Sequence, residues 1–238
     1  MRELLKPLRD MDRPALVGVF GGILLCCIYL YPGNHAFFTR HLGHLAPAGP
    51  FGEWAANCYQ FAAAFLLLFL VPLLWARFGA GLKAADLGLQ LGDWRLGLKL
   101  VAIGMVVLAG PLYLNGGQAD FQAEYPLAKV ASTTVGLFVL WELCYLIYYI
   151  AWEFFFRGFW QLGLSRGSLG VAGALALQTA VSTIMHIGKP AGETFSAIVG
   201  GLAFGLIALR TRSILYVLLL HWYLGIATDL FCALRARG

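Results

Sequence analysis

Charged residues are scarce in this chain. Asp, Glu, Lys and Arg make up 12% of the 238 residues, against about 25% in an ordinary soluble domain. Hydrophobic residues reach 60%, which is more than a single soluble core of this size can bury. This composition excludes a soluble globule and a disordered chain, and it predicts that most apolar side chains face lipid.

Paired cysteine motifs and dense basic patches are also missing. The five cysteines show no spacing typical of a zinc or redox motif, so they are interpreted as small core hydrophobes. The net charge of +5 comes from Lys and Arg spread between apolar runs, which is typical of a membrane protein. We therefore expect no nucleic-acid partner, and the lipid bilayer is the first predicted partner.

Long apolar runs fill most of the sequence. Seven runs have about the length that a membrane-spanning helix needs, and an eighth is an open alternative; they cover residues 14–31, 59–75, 99–116, 134–155, 169–187, 194–209 and 213–231. The predicted fold class is all-α, a polytopic integral membrane helical bundle of about 7–8 transmembrane helices. No internal repeat or soluble segment divides it, so residues 1–238 are predicted to form a single membrane domain.

Basic residues predict the orientation. Arg2, Lys6, Arg9 and Arg13 precede the first run, and most of the other Lys and Arg fall in connections on the same side when connections are counted alternately. The positive-inside rule then predicts a cytoplasmic N-terminus, residues 1–13. The expected location is a bacterial inner membrane.

Ionisable residues inside the apolar runs are few. Each costs at least about 2.5 kcal/mol at the centre of a membrane helix, so each is a candidate functional residue. They are Glu142, Glu153, Arg157, His186, Glu193, His221 and Asp229. Glu153 and Arg157 stand four residues apart in the favoured order for a helical ion pair, which is also consistent with a purely structural pair. Glu142 lies about 16 Å from Glu153 along a helix, too far for a dyad.

Helix rise places Glu153, His186 and His221 at similar depths, within the middle third of a bilayer. A carboxylate and two imidazoles beside a guanidinium are suited to activating water and stabilising an oxyanion. Each histidine alone is also consistent with an ordinary core residue.

The motifs in residues 134–231 resemble those of a known family. Trp152-Glu153-Phe154-Phe155-Phe156-Arg157-Gly158, His186 before Gly188-Lys189-Pro190, and His221 after three leucines are similar to the CPBP family of intramembrane proteases, also called the CAAX protease or abortive-infection family. Its members carry Glu-Glu-x-x-x-Arg, Phe-x-x-x-His and His-x-x-x-Asn or Asp. The resemblance implies intramembrane proteolysis, in which Glu and the first His activate water while the second His and the Asn or Asp stabilise the oxyanion.

The chain departs from the family pattern at three positions. Trp152 stands where the first Glu is expected, Ser182 stands where Phe is expected, and Gly225 stands where Asn or Asp is expected. Asp229, eight residues after His221, and Glu193, seven residues after His186, are candidate replacements. Glu193 is equally interpretable as an acid that favours the start of a helix.

The leading hypothesis is an intramembrane endopeptidase that cleaves a membrane-anchored protein or peptide, for example one that is prenylated or C-terminally sorted. Glu153 is the base or orients the base, Arg157 positions Glu153, and His186 and His221 act on water and the oxyanion. If a divalent metal such as zinc takes part, His186, His221 and Glu153 are its expected ligands, with Glu193 an alternative to Glu153. The alternatives are an inactive family scaffold or immunity-type membrane protein, with Trp152 blocking the site, and a proton-linked transporter.

Overall fold

A computed structural model describes residue 6 and residues 10–236, so most of the predicted cytoplasmic segment 1–13 lies outside it. In that part of the chain the regular secondary structure is entirely helical, and no strand forms. The helices are α1 (Arg13–Leu30), α2 (Phe51–Gly79), α3 (Trp94–Asn115), α4 (Ala119–Glu124), α5 (Val135–Gly163), α6 (Gly170–Ile184), α7 (Ala191–Thr211) and α8 (Leu215–Arg235). This architecture confirms the predicted all-α helical membrane fold.

The number of helices able to cross a membrane is six among the described residues, by length and composition. The predicted run 169–187 forms α6, whose 15 residues span about 22 Å, short of the roughly 30 Å of a hydrocarbon core. The helix ends early because Gly188, with φ of 101°, and Pro190 turn the chain. The open eighth span has no counterpart in residues 10–236.

The connections between helices gather at two ends of the bundle. Contacts join those at the first end: Asp12 with Ser168, Arg166 with Asp86, and Ile214 with Gly88. We call this the basic end. Contacts at the other end, called here the distal end, join Lys189 with Glu124 and Glu193 with Tyr125. Helix directions therefore alternate between the two ends through α6 as well, although α6 is short.

The second half of α5 is the centre of the bundle. After Glu153 the backbone changes from α-helical to π-helical hydrogen bonding over Phe154–Gly163, and all ten of these residues are buried. Aromatic rings fill this core, with Phe154 against Phe69 of α2 and Phe155 against Trp160. π-helical hydrogen bonding also occurs at Phe38–Leu42 and, in α2, at Phe65–Leu70 and Trp75–Gly79, so it is the complete burial that distinguishes this segment.

Glycines and buried amides bring neighbouring helices close to α5. Trp160 Nε1 donates to the carbonyl oxygen of Gly18 in α1, at 2.9 Å. Gln161 Nε2 donates to the carbonyl oxygen of Gly205 in α7, at 2.6 Å. Small residues and interhelical hydrogen bonds are the usual means of helix association in lipid, where the hydrophobic effect contributes little between helices.

Gly22→Leu is expected to destabilise the bundle, because a Cβ at Gly22 would lie 2.5 Å from Trp160 Nε1. Overpacking of this kind costs about 1–3 kcal/mol, so the melting temperature of the purified protein in detergent should fall. Gly21→Leu is the matched control, since nothing lies within 4 Å of its Cβ position. Equal melting temperatures for the two variants would contradict the α1–α5 packing.

Candidate active site

Glu153 lies at the centre of a buried charged cluster. Its Oε1 accepts a hydrogen bond from the Arg157 guanidinium at 3.1 Å and lies 2.5 Å from Nδ1 of His221. The Glu153 side chain is 0% exposed. Arg157 also lies over the Phe204 ring, 5.6 Å from its centroid. The structure thus brings together three of the four residues predicted to be catalytic.

Local helix geometry explains this arrangement. Glu153 is the last α-helical residue of α5, and Arg157 is in the first turn of the π-helical segment. His221 comes from α8, where the ring of Tyr149 of α5 lies 4.8 Å from it. Glu153 Oε2 and Arg157 Nε have no hydrogen-bond partner among residues 10–236, so the cluster keeps unused polar capacity.

His186, the fourth predicted residue, lies in the turn after α6. Its Nδ1 is 2.7 Å from the carbonyl oxygen of Ser182. Because a carbonyl only accepts hydrogen bonds, Nδ1 must carry the proton, which leaves the Nε2 lone pair of a neutral ring free. Thr194 Oγ1 holds the same turn by donating to the His186 carbonyl oxygen at 2.8 Å.

His221 has the same tautomer for a similar reason. Its Nδ1 faces the Glu153 carboxylate, which accepts hydrogen bonds, so the Nε2 of a neutral His221 is also unprotonated. Such a carboxylate partner fixes the orientation of the ring. Two imidazoles therefore offer free Nε2 lone pairs.

A cavity of about 190 Å³ connects these residues to the distal end. Arg157, His186 and His221 line its inner part, and Asn115 and Lys189 line its outer part. Glu153 is not among the lining residues. The carboxylate thus lies behind His221 and Arg157, and those two side chains separate it from the cavity.

Glu193 and Asp229 occupy different surroundings. Glu193 lines the cavity from the first turn of α7, and its Oε2 accepts a hydrogen bond from the Tyr125 hydroxyl at 2.7 Å. Asp229 does not line the cavity; its Oδ2 accepts from Trp141 Nε1 at 2.9 Å, and its carboxyl group lies beside that of Glu142. Glu193 therefore faces the cavity, whereas Asp229 faces the interface of α5 and α8.

Three aromatic rings contact the two histidines, and the sequence did not predict these contacts. Trp152 packs edge-on against His186, with ring centroids 5.4 Å apart, and Phe204 packs edge-on against His221 at 5.8 Å. Tyr149 packs against His221 at a tilt of 50°, with ring centroids 4.8 Å apart, and lines the cavity. A usable signal existed for Tyr149, since it stands four residues before Glu153 and must share its helix face.

The predicted metal ligands do not form a metal-binding group. Across residues 10–236, no three His, Cys, Asp or Glu side chains are placed to hold one ion. His221 Nδ1 is committed to Glu153 and His186 Nδ1 to Ser182. The Nε2 atoms of His186 and His221 remain free for a ligand, but the described residues place no third protein ligand with them, so a divalent metal stays a prediction.

This fold and site define a helical membrane protein with a carboxylate–imidazole centre inside the bundle. Residues 134–226 match the family model described as type II CAAX prenyl endopeptidase Rce1-like. The matched segment contains Glu153, Arg157, His186 and His221. The match confirms the resemblance drawn from the motifs: this part of the chain is similar to a CAAX-protease-type domain. No curated protein and no solved structure matches the chain.

Arg157→Ala is expected to lower stability strongly, because it leaves the buried Glu153 charge without its guanidinium partner. Breaking a buried pair costs roughly 3–5 kcal/mol, whereas replacing both charges by neutral groups is often close to neutral. The double variant Glu153→Gln/Arg157→Met should therefore melt closer to the wild type than Arg157→Ala does. Thermal unfolding in detergent would measure both, and an unchanged melting temperature for Arg157→Ala would contradict the buried pair.

Proposed function

We propose that this protein is an intramembrane endopeptidase that hydrolyses a peptide bond of a membrane-anchored protein with water activated by His221 and His186. The observation that carries this proposal is the Glu153–His221 contact at the inner end of a cavity that His186 also lines. The family match supports a protease.

In the proposed reaction His221 is the general base. Its Nε2 takes a proton from water as the water oxygen bonds to the carbonyl carbon, and the Glu153 carboxylate stabilises the resulting imidazolium. Nε2 of His186 accepts a hydrogen bond from the other O–H of the water and so orients it, and that hydrogen stays on the oxygen. When the carbon–nitrogen bond breaks, the imidazolium gives its proton to the departing amine, which balances the reaction.

Glu153 acts in this scheme as the residue that orients the base. Its burial behind His221 favours this role over direct contact with water, which was the other role open from the sequence. Arg157, which lines the cavity, contributes positive charge near the carbonyl oxygen, where preorganised charge lowers the barrier. Trp152 packs beside His186, and in this scheme no carboxylate is needed at that position.

The side of the membrane bears on the substrate. The cavity opens toward the distal end, and the positive-inside rule assigns the basic end to the cytoplasm. We therefore propose a bacterial inner-membrane protein whose active site is reached from the non-cytoplasmic side. This favours a C-terminally sorted, exported protein as substrate. A prenylated protein, which the name of the matched family suggests, is the other candidate.

Glu153→Gln, His186→Ala and His221→Ala should each abolish substrate processing. General acid–base groups contribute about 10²–10⁴-fold to a rate, so new protein termini should disappear on the timescale of growth. Terminal proteomics of membranes from cells expressing each variant at matched levels would detect this and would identify the substrate whatever its class.

Glu142→Gln is the matched control, since it removes a buried carboxylate from the same helix away from the cavity. It should retain processing at the wild-type rate. If wild type and all three site variants give the same termini but share a phenotype that a deletion loses, the protease proposal fails and an inactive family scaffold replaces it.

Cysteine labelling should show opposite accessibility for the two ends. In a background lacking the five native cysteines, Ala48→Cys at the distal end should react with a membrane-impermeant maleimide on intact cells. Ala85→Cys at the basic end should react only after permeabilisation. Both alanines are exposed, so a reversed result would place the cavity mouth in the cytoplasm and favour a prenylated cytoplasmic substrate.

A further inference from the structure

Gly225, one helical turn after His221, has no side chain, and the side chain of Tyr149 occupies the space next to it. A Cβ built at Gly225 would collide with the Tyr149 hydroxyl and would lie 2.8 Å from Tyr149 Cζ. Any side chain at position 225 would thus need the space that the phenol group occupies. Position 225 is where the resembled family carries Asn or Asp.

Tyr149 is placed to act at this site. It lies one helical turn before Glu153, its side chain is buried with 4% of the residue exposed, and it lines the cavity together with His221 and Gly225. Its ring centroid lies 4.8 Å from that of His221 and 4.6 Å from that of Tyr145. These contacts restrict the orientation of the phenol.

The Tyr149 hydroxyl has a hydrogen bond to give. The neighbouring phenol is that of Tyr145, whose ring stacks on the Tyr149 ring with centroids 4.6 Å apart. A phenol is both a donor and an acceptor, so Tyr149 can accept from Tyr145 and still donate its own proton into the cavity. Buried hydroxyl groups are usually satisfied, which favours a ligand atom as the acceptor.

We propose that Tyr149 is a catalytic residue that donates a hydrogen bond to the carbonyl oxygen of the scissile bond, in place of the side chain absent at Gly225. This rests on the proposed endopeptidase function. As the water oxygen bonds to the carbonyl carbon, negative charge forms on the carbonyl oxygen and the phenol proton stabilises it. Tyr149 keeps its proton throughout, because His221 receives the proton from water and later delivers it to the amine.

Asp229, the replacement expected from the sequence, is a poorer candidate for this role. Its carboxyl group is hydrogen-bonded to Trp141 and adjoins Glu142, and it does not line the cavity. Tyr149 lines the cavity and Asp229 does not, which favours Tyr149 as the hydrogen-bond donor to the carbonyl oxygen.

Tyr149→Phe tests the proposal in the terminal-proteomics assay, with the rate at which wild-type-dependent termini appear after induction as the readout. Loss of one oxyanion donor lowers the rate by about 10²-fold or more. Tyr223→Phe is the matched control, because it removes a phenol hydroxyl that donates to the Met105 carbonyl oxygen outside the cavity; it should keep the wild-type rate. The melting temperature of Tyr149→Phe should stay close to that of the wild type.

A swap of positions gives a second test that loss of folding cannot imitate. Gly225→Asn alone should be impaired by the clash with Tyr149, and Tyr149→Ala alone should be slow. The double variant Tyr149→Ala/Gly225→Asn should be at least tenfold faster than Tyr149→Ala, because it restores a hydrogen-bond donor at the same place. A tenfold rate change is about what one hydrogen bond to a charged atom contributes.

The outcomes separate the two proposals. If the wild type produces no termini of its own, the endopeptidase proposal fails and the role of Tyr149 fails with it. If the wild type produces termini and Tyr149→Phe produces them equally fast, only the role of Tyr149 is overturned. A double variant no faster than Tyr149→Ala would also overturn the exchange between positions 149 and 225.

Discussion

The buried carboxylate of Glu153 is the constraint on which the rest of the structure depends. A charge in the low-dielectric interior of a membrane bundle is tolerated only with close partners, and Glu153 has them in Arg157 and His221. These contacts oblige α8 to lie against the centre of α5. They also oblige that part of α5 to be surrounded by protein, which explains why the whole stretch 151–164 is buried.

A helix buried on every side needs neighbours that approach closely. Glycines provide this at α1 and α7, where Trp160 and Gln161 donate to backbone carbonyl oxygens. These bonds satisfy the buried N–H groups of Trp160 and Gln161, which lipid cannot satisfy. The π-helical backbone follows directly after Glu153, so the most irregular part of α5 coincides with its most polar contacts. The contacts that pack α5 into the bundle therefore also hold the charged residues of the site in place.

Residue spacing predicted the helical fold and the Glu153–Arg157 pair, because hydropathy and the i,i+4 rule act locally. For His221 spacing predicted only a depth similar to that of Glu153; their contact joins two helices. The short α6 was not predicted, since hydropathy alone does not show where Gly188 and Pro190 turn the chain. Asp229 was judged by its distance along one helix, whereas its surroundings depend on Trp141 and Glu142 of another helix. Relations between helices of that kind require the packed structure.

Gly225 illustrates how such a relation changes the interpretation of a departure from a family pattern. In the sequence, Gly225 is a loss, because glycine has no side chain to donate a hydrogen bond. In the packed bundle, the hydroxyl of Tyr149 takes up the space beside it and the Tyr149 ring rests on His221. Tyr149 of α5 then offers the cavity a hydrogen-bond donor that Gly225 of α8 cannot offer. The chemistry of a site is set by which atoms reach it, and a helix neighbour can supply them as well as the original position.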